Sequence, residues 1–152
     1  MNKEQLLSKV VIPTLKEIPR GYSEKAALAI MMIIAHESSR GEYIAQMGNG
    51  PAKGIIQMEG WVHDDVWINS DTIRANAERI GIIQRGQLAP KSDRLYWDLR
   101  YNVFMARQRL FMDINPLPNT PEEMSKYLKS FWNSSAGAAD DNSYLRDYNL
   151  WT

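Results

Sequence analysis

A mainly α-helical (all-α) fold is predicted by three features of the sequence. Ten consecutive apolar residues run from Ala26 to Ala35, and a helix that is apolar all round is one buried all round. Leu95, Leu99, Val103, Ala106 and Leu110 recur at helical spacing and mark the stripe of a long amphipathic helix. Thr120-Pro121-Glu122-Glu123 is a capping box with proline at the first helical position. Apart from the loop containing Asn49-Gly50, no two alternating runs flank a tight turn, so little or no sheet is expected. The 152 residues suit one hydrophobic core and are too few for two comfortable ones, which makes residues 1–152 a single domain.

The elements follow in order. Leu6, Leu7, Val10, Val11, Leu15 and Ile18 fall at helical spacing, with Pro13 kinking or splitting that segment. Pro19 and Gly21 interrupt the chain, and Ser23 is a good N-cap for the apolar helix. Ten residues are too few to span a bilayer, so this run is a core helix with no membrane insertion. Its Ala and Met content favours helix over a buried strand. Residues 41–60 hold five glycines and Pro51 and read as a compact loop with little regular structure. A short helix is expected over Trp61 to Trp67, and another from Ser70 or Asp71 to Ile80, ended by Gly81. Ala89 to Ser92 is a linker, Asp93 to Met112 the long helix, and Met124, Tyr127 and Phe131 the body of the last clear helix. After Ser134 the tail is polar, with Tyr144, Tyr148 and Trp151 spaced to pack back onto the domain.

Eighteen Lys and Arg balance eighteen Asp and Glu. Without a basic stripe, nucleic acid is not an expected partner. Binding to an acidic polymer must then come from local shape and hydrogen bonds. Cysteine is absent, which excludes a thiol nucleophile, a disulfide and a zinc-thiolate site. Met1 to Lys9 contains no apolar h-region, so no signal peptide is read.

The sharpest chemical transition is Ala35-His36-Glu37-Ser38-Ser39, where the apolar helix meets a histidine, a carboxylate and two hydroxyls. Partial desolvation and the negative end of the helix dipole both favour a neutral carboxylic acid there. Protonation of a glycosidic oxygen requires such a group. His36 and His63 are the sole histidines, and His36-Glu37-Ser38-Ser39-Arg40 fails the His-Glu-x-x-His zinc pattern at its last position. No metal and no cofactor are expected, and His36 reads as a hydrogen-bonded partner at the helix end.

The stretch Glu37-Ser38-Ser39-Arg40-Gly41, then Gly48-Asn49-Gly50-Pro51-Ala52-Lys53-Gly54-Ile55-Ile56-Gln57-Met58-Glu59, resembles the lysozyme-like superfamily. It is most similar to goose-type lysozymes and soluble lytic transglycosylases. The likeness is dense from Ala35 to His63, about one fifth of the chain, and thins beyond. It implies a lysozyme-like fold with a buried central helix and a glycine-rich substrate-cleft loop. Glu37 stands where those families place the catalytic acid before a serine, here Ser38. Gly54 and Gln57 fill a Gly-x-x-Gln element lining the cleft. Glu59 and His63 stand at the acidic and histidine positions that follow in the goose-type pattern. Asn102 matches an asparagine on the long helix. Phe131-Trp132-Asn133-Ser134, with Gly137 after it, replaces an Ala-Tyr-Asn-x-Gly run, so Trp stands in place of the tyrosine that contacts the acid. Gln46 takes the place of an aspartate before the Gly-Asn-Gly loop and cannot ionise.

The function implied is cleavage of the β-1,4 bond between N-acetylmuramic acid and N-acetylglucosamine in peptidoglycan, with Glu37 as general acid. An inverting hydrolase adds a base with its carboxyl about 6.5–9.5 Å from the acid, and a retaining one a nucleophile at about 5–5.5 Å. A lytic transglycosylase needs neither. Glu59 is the candidate base, with Asp64 and Asp65 behind it; a rim position paired with Lys53 or Arg40 suits Glu59 equally well. Ser38, Gln46, Gln57, Trp61, Trp132 and Asn133 are the candidate substrate contacts, the two tryptophans as stacking planes for sugar faces. The partner is the peptidoglycan glycan strand, alongside other virion proteins if the chain works in a phage particle. In the absence of a leader, the expected settings are a phage virion, or a host cytoplasm from which another factor exports the protein. A non-catalytic virion or wall-binding module with the same fold is the alternative, and a chitin-directed hydrolase a weaker one.

Overall fold

Ser23 starts the central helix: its hydroxyl accepts from the Ala26 N–H at 3.0 Å, satisfying one of the first-turn donors that a helix leaves open. The structure, a computed structural model, describes residues 1–133 and 139–152. The described chain is mainly helical. The first helical stretch comprises α1 (Lys3–Leu6), a π-turn (Leu7–Val11) and α2 (Ile12–Glu17). Proline explains the wide turn. Pro13 lacks an N–H and its ring crowds the carbonyl four residues back, and the Ile12 N–H reaches Leu7 O instead. Pro13 thus widens the helix without splitting it.

The central helix α3 (Glu24–Glu37) buries Ala26, Ala27 and every residue from Ala29 to Ala35. Helix α6 (Leu99–Phe111), α7 (Pro121–Leu128) and α8 (Ser143–Asn149) pack around it. Burying each of its Ile and Met side chains contributes roughly 1.5–3 kcal/mol. The capping box forms as expected, with the Thr120 hydroxyl accepting from Glu123 N–H at 3.1 Å. A second π-turn, Lys129–Asn133, continues α7.

Two expectations are corrected, while residues 41–60 hold the little regular structure expected of them: β1 (Ala52–Lys53) pairs antiparallel with β2 (Met58–Glu59), in the register Ala52 to Glu59 and Lys53 to Met58. A lone bridge joins Ala45 to Lys53. The long helix begins at Leu99 rather than Asp93, because Asp98 turns its carboxylate onto the Tyr101 N–H at 2.9 Å and caps it. Ser92–Tyr96 before it is a 3₁₀ turn. The tail is more than packed aromatics, since Ser143–Asn149 form α8. The remaining helices, α4 (Gly60–Asn69) and α5 (Ile73–Arg79), lie close to their expected places.

Candidate active site

Glu37 is the last residue of α3 and half-buried. Its Oε1 accepts a hydrogen bond of 2.7 Å from the hydroxyl of Tyr144 on α8. Tyr144 is fully buried. Burial pushes its phenol pKa up, the Glu37 charge and hydrogen bond push the same way, and a hydrogen bond from Asn133 and the charge of Arg109 oppose them. The phenol therefore stays protonated and donates. One residue earlier, His36 Nδ1 lies 2.7 Å from Asp147 Oδ2, and its ring sits 4.3 Å from the Tyr144 ring. Asp147 O also accepts from Arg40 at 3.3 Å. Tyr144 and Asp147 are one helical turn apart, so a single face of α8 grips the end of α3 at two adjacent residues.

The expected site residues divide into groups. Asn133 joins Glu37 through Tyr144, and its own Oδ1 accepts from Lys129 at 3.3 Å. Ser38 has no exposed surface. Its hydroxyl donates to Ile34 O at 3.0 Å and accepts from Gly41 N–H at 3.1 Å, so it holds the turn after the helix and offers nothing to a ligand. Trp132 is a correction of the same kind. Only 5% exposed, it belongs to the core and has no free face for a sugar. Trp61, by contrast, is 69% exposed and its indole N–H donates to Glu59 Oε2. Trp97, not singled out in the sequence, is exposed to a similar degree. Glu59 pairs with neither Lys53 nor Arg40: Lys53 Nζ is taken by Ser92 at 2.7 Å and Asp93 at 2.6 Å.

Gln46 and Gln57 act on the backbone. Gln46 Oε1 accepts from Ala52 N–H at 2.9 Å and closes the glycine loop. A Cβ on Gly50 would stand 2.2 Å from the end of the Gln46 side chain, so a larger residue there would push the Gln46 amide off this bond. Gln57 is in the left-handed region with φ 48°, and its Nε2 donates to Gly54 O at 2.8 Å. Gly54 has φ +77°, and a Cβ there would meet Asn102 Oδ1 at 2.2 Å and Leu95 O at 2.4 Å. The buried Asn102 in turn donates to Leu95 O and Asp98 O, each at 2.8 Å. The Gly-x-x-Gln element is thus the turn of the β1–β2 hairpin, seated on α6 by Asn102.

His63 is fully buried on α4, its Nε2 2.6 Å from the Tyr101 hydroxyl and its Nδ1 2.9 Å from Asp64 Oδ1. Trp67 donates to the same hydroxyl at 2.9 Å, so the Tyr101 proton points at Nε2 and His63 carries its hydrogen on Nδ1. Burial holds the His63 pKa below the usual imidazole value despite the Asp64 hydrogen bond and charge. Among the described residues, no group of three His, Cys, Asp or Glu side chains is placed to hold a metal.

Tyr144 is the residue of this candidate site that sequence reasoning missed. It supplies the hydroxyl contact whose absence the Trp132 substitution implied, from a position 107 residues along the chain. Ser134 and Gly137 lie outside the described residues. Two cavities lie away from Glu37: one of about 590 Å³ is walled by Asp64, Trp67, Ile68, Pro90 and Lys91, and one of about 480 Å³ by Arg20, Thr72, Asn76 and Phe111. The half-buried Glu37 carboxylate with its fixed phenol donor, and neither cavity, defines the candidate site. No protein-family model, curated protein or solved structure matches the chain.

Proposed function

We propose that this protein is a muramidase with a lysozyme-like fold, which cleaves the glycan strands of peptidoglycan with Glu37 as the general acid. The observation that carries the reading is the Glu37–Tyr144 pair: a half-buried carboxylate at the end of a buried helix, fixed by a phenol that remains protonated. A carboxyl group held in one orientation by its Oε1 keeps Oε2 to face a substrate oxygen, and geometry comes first in acid catalysis. The Glu37 proton passes to the glycosidic oxygen, the bond from that oxygen to the anomeric carbon breaks, and the carboxylate remains beside the oxocarbenium-like sugar.

In hydrolysis the sugar is then attacked by a water, for which Glu59 is the candidate base. In transglycosylation the sugar's own 6-hydroxyl attacks, and Glu37 takes the hydroxyl proton back. The second course is favoured by the engagement of the downstream carboxylates: Glu59 accepts from Trp61, Asp64 pairs with His63, and Asp65 accepts from Asn69 at 2.6 Å. Digestion of purified peptidoglycan with mass spectrometry of the soluble products tests both points. Anhydro-muropeptides are the expected product; reducing-end muropeptides mean hydrolysis. If wild type releases nothing where a control enzyme works, the muramidase reading fails and a binding module is left.

A further inference from the structure

Arg109 lies on α6 beside the candidate acid. Its guanidinium lies over the Trp132 ring at 4.4 Å and within 5.9 Å of the Phe131 ring. The sole hydrogen bond of its side chain among the described residues is a long one, from Nη2 to Trp132 O at 3.3 Å. The next residue, Asn133, bonds to Tyr144, which holds Glu37. The Arg109 cation thus lies in the electrostatic reach of Glu37 and Asp65, with neither as an ion-pair partner.

Of the other half-buried or buried arginines, Arg40 makes one long bond to Asp147 O at 3.3 Å, and three are held more closely. Arg94 pairs with Asp98 at 2.9 Å, and Arg100 with Glu17 at 2.5 Å. Arg107, two residues before Arg109, donates to Gly21 O at 2.8 Å and Arg20 O at 3.4 Å. A guanidinium offers five donors in a flat fork that matches a carboxylate. Among the described residues the Arg109 guanidinium has one long hydrogen bond and no ion pair, which leaves most of its fork available to an anion.

Building on the muramidase reading, we propose that Arg109 recognises a carboxylate of the substrate, so that the site takes acidic glycans in preference to neutral ones. In peptidoglycan that carboxylate comes from the peptide stem or, where the stem has been removed, from the lactyl group of the muramic sugar. The chain has no net charge to attract an acidic polymer, so a local cation of this kind supplies what the global field does not.

The test uses a Glu37→Gln background, which prevents turnover, and three soluble tetrasaccharides. One alternates N-acetylglucosamine with muramic acid bearing free lactyl carboxylates, one carries peptide stems, and one is neutral chitotetraose. Addition of Arg109→Gln is expected to weaken binding of the carboxylate-bearing ligands by roughly 10- to 100-fold, as for loss of a charge-assisted hydrogen bond, and to change chitotetraose binding less than about twofold. Loss confined to the stem-bearing ligand assigns the carboxylate to the peptide; loss confined to the stem-free acidic ligand assigns it to the lactyl group, whose carboxyl is otherwise taken up in the amide bond to the stem; loss on both means that Arg109 accepts a carboxylate from either source. Arg109→Lys keeps the charge without the fork and is expected to fall between, and it carries the comparison if the glutamine variant unfolds. Equal loss on all three ligands, or no loss, overturns the proposal and leaves Arg109 as a packing residue. If the protein instead binds none of the three and wild type cleaves no peptidoglycan, the muramidase reading falls and takes this role with it.

Discussion

Two tyrosines in this fold are both fully buried, and both bring a hydroxyl to within 2.7 Å of an ionisable group on a neighbouring helix. Their partners differ in one respect. Tyr101 meets His63, which has no exposed surface, and the hydroxyl also receives the Trp67 indole. Tyr144 meets Glu37, which is half-exposed at a helix end. The same donor in the same kind of core thus makes a closed joint between α4 and α6, and an open, oriented carboxyl between α8 and α3. Access to solvent on the partner's side separates a structural hydrogen bond from a candidate catalytic one.

The sharpest way to break the comparison is to remove the ionisable group from the open side. Glu37→Gln keeps an Oε1 for Tyr144 but has no proton to give, so peptidoglycan cleavage is expected to fall by roughly 10³-fold, within the range for general-acid loss, while the thermal midpoint changes little. Retained activity would show that the acid lies elsewhere. On the closed side, Gly54→Ala forces a side chain into Asn102 at a positive φ, with an expected loss of about 3 kcal/mol or more in denaturant unfolding. A variant as stable as wild type would mean the hairpin turn moves freely off α6.

The tyrosines themselves give the next contrast. Tyr101→Phe strips His63 and Trp67 of a partner in the core and is expected to cost about 1–3 kcal/mol of stability. Tyr144→Phe leaves a carboxylate that water reaches, so its stability loss is expected to be under about 1 kcal/mol, with activity down roughly tenfold through loss of orientation. Equal stability losses would erase the distinction. The smallest effect is in pH dependence. His63 is held neutral with a pKa below the ordinary 6.5, so below that pH the unfolded chain binds the proton more readily than the folded one. Stability is full above pH 6.5 and declines as pH falls toward the folded value. His63→Gln is expected to flatten that decline when thermal midpoints are compared from about pH 7.5 to 5; an unchanged slope would assign it to other groups.

Much of the scaffold of this site was legible in one dimension. The run Ala26 to Ala35 declares its own burial, because no face of a helix with that composition is suited to water. Ser23 and Thr120 announce helix starts through a bond that spans three residues. Glu37 could be singled out because the end of an apolar helix is a local event. The hairpin at Ala52 to Glu59 was less legible, since strands of two residues are too short to show an alternating period.

What the sequence determined by itself is therefore where helices begin, which one is central, and which carboxyl stands at its end. Only the tertiary structure decided what surrounds that carboxyl. Whether Trp132 is buried or free depends on what packs over it, and the partner of Glu37 is a phenol 107 residues away. Periodicity and capping report on contacts within a few residues. A hydroxyl–carboxylate pair between α3 and α8 is made by packing across the domain, and nothing in the local spacing of Tyr144 names the residue it will meet.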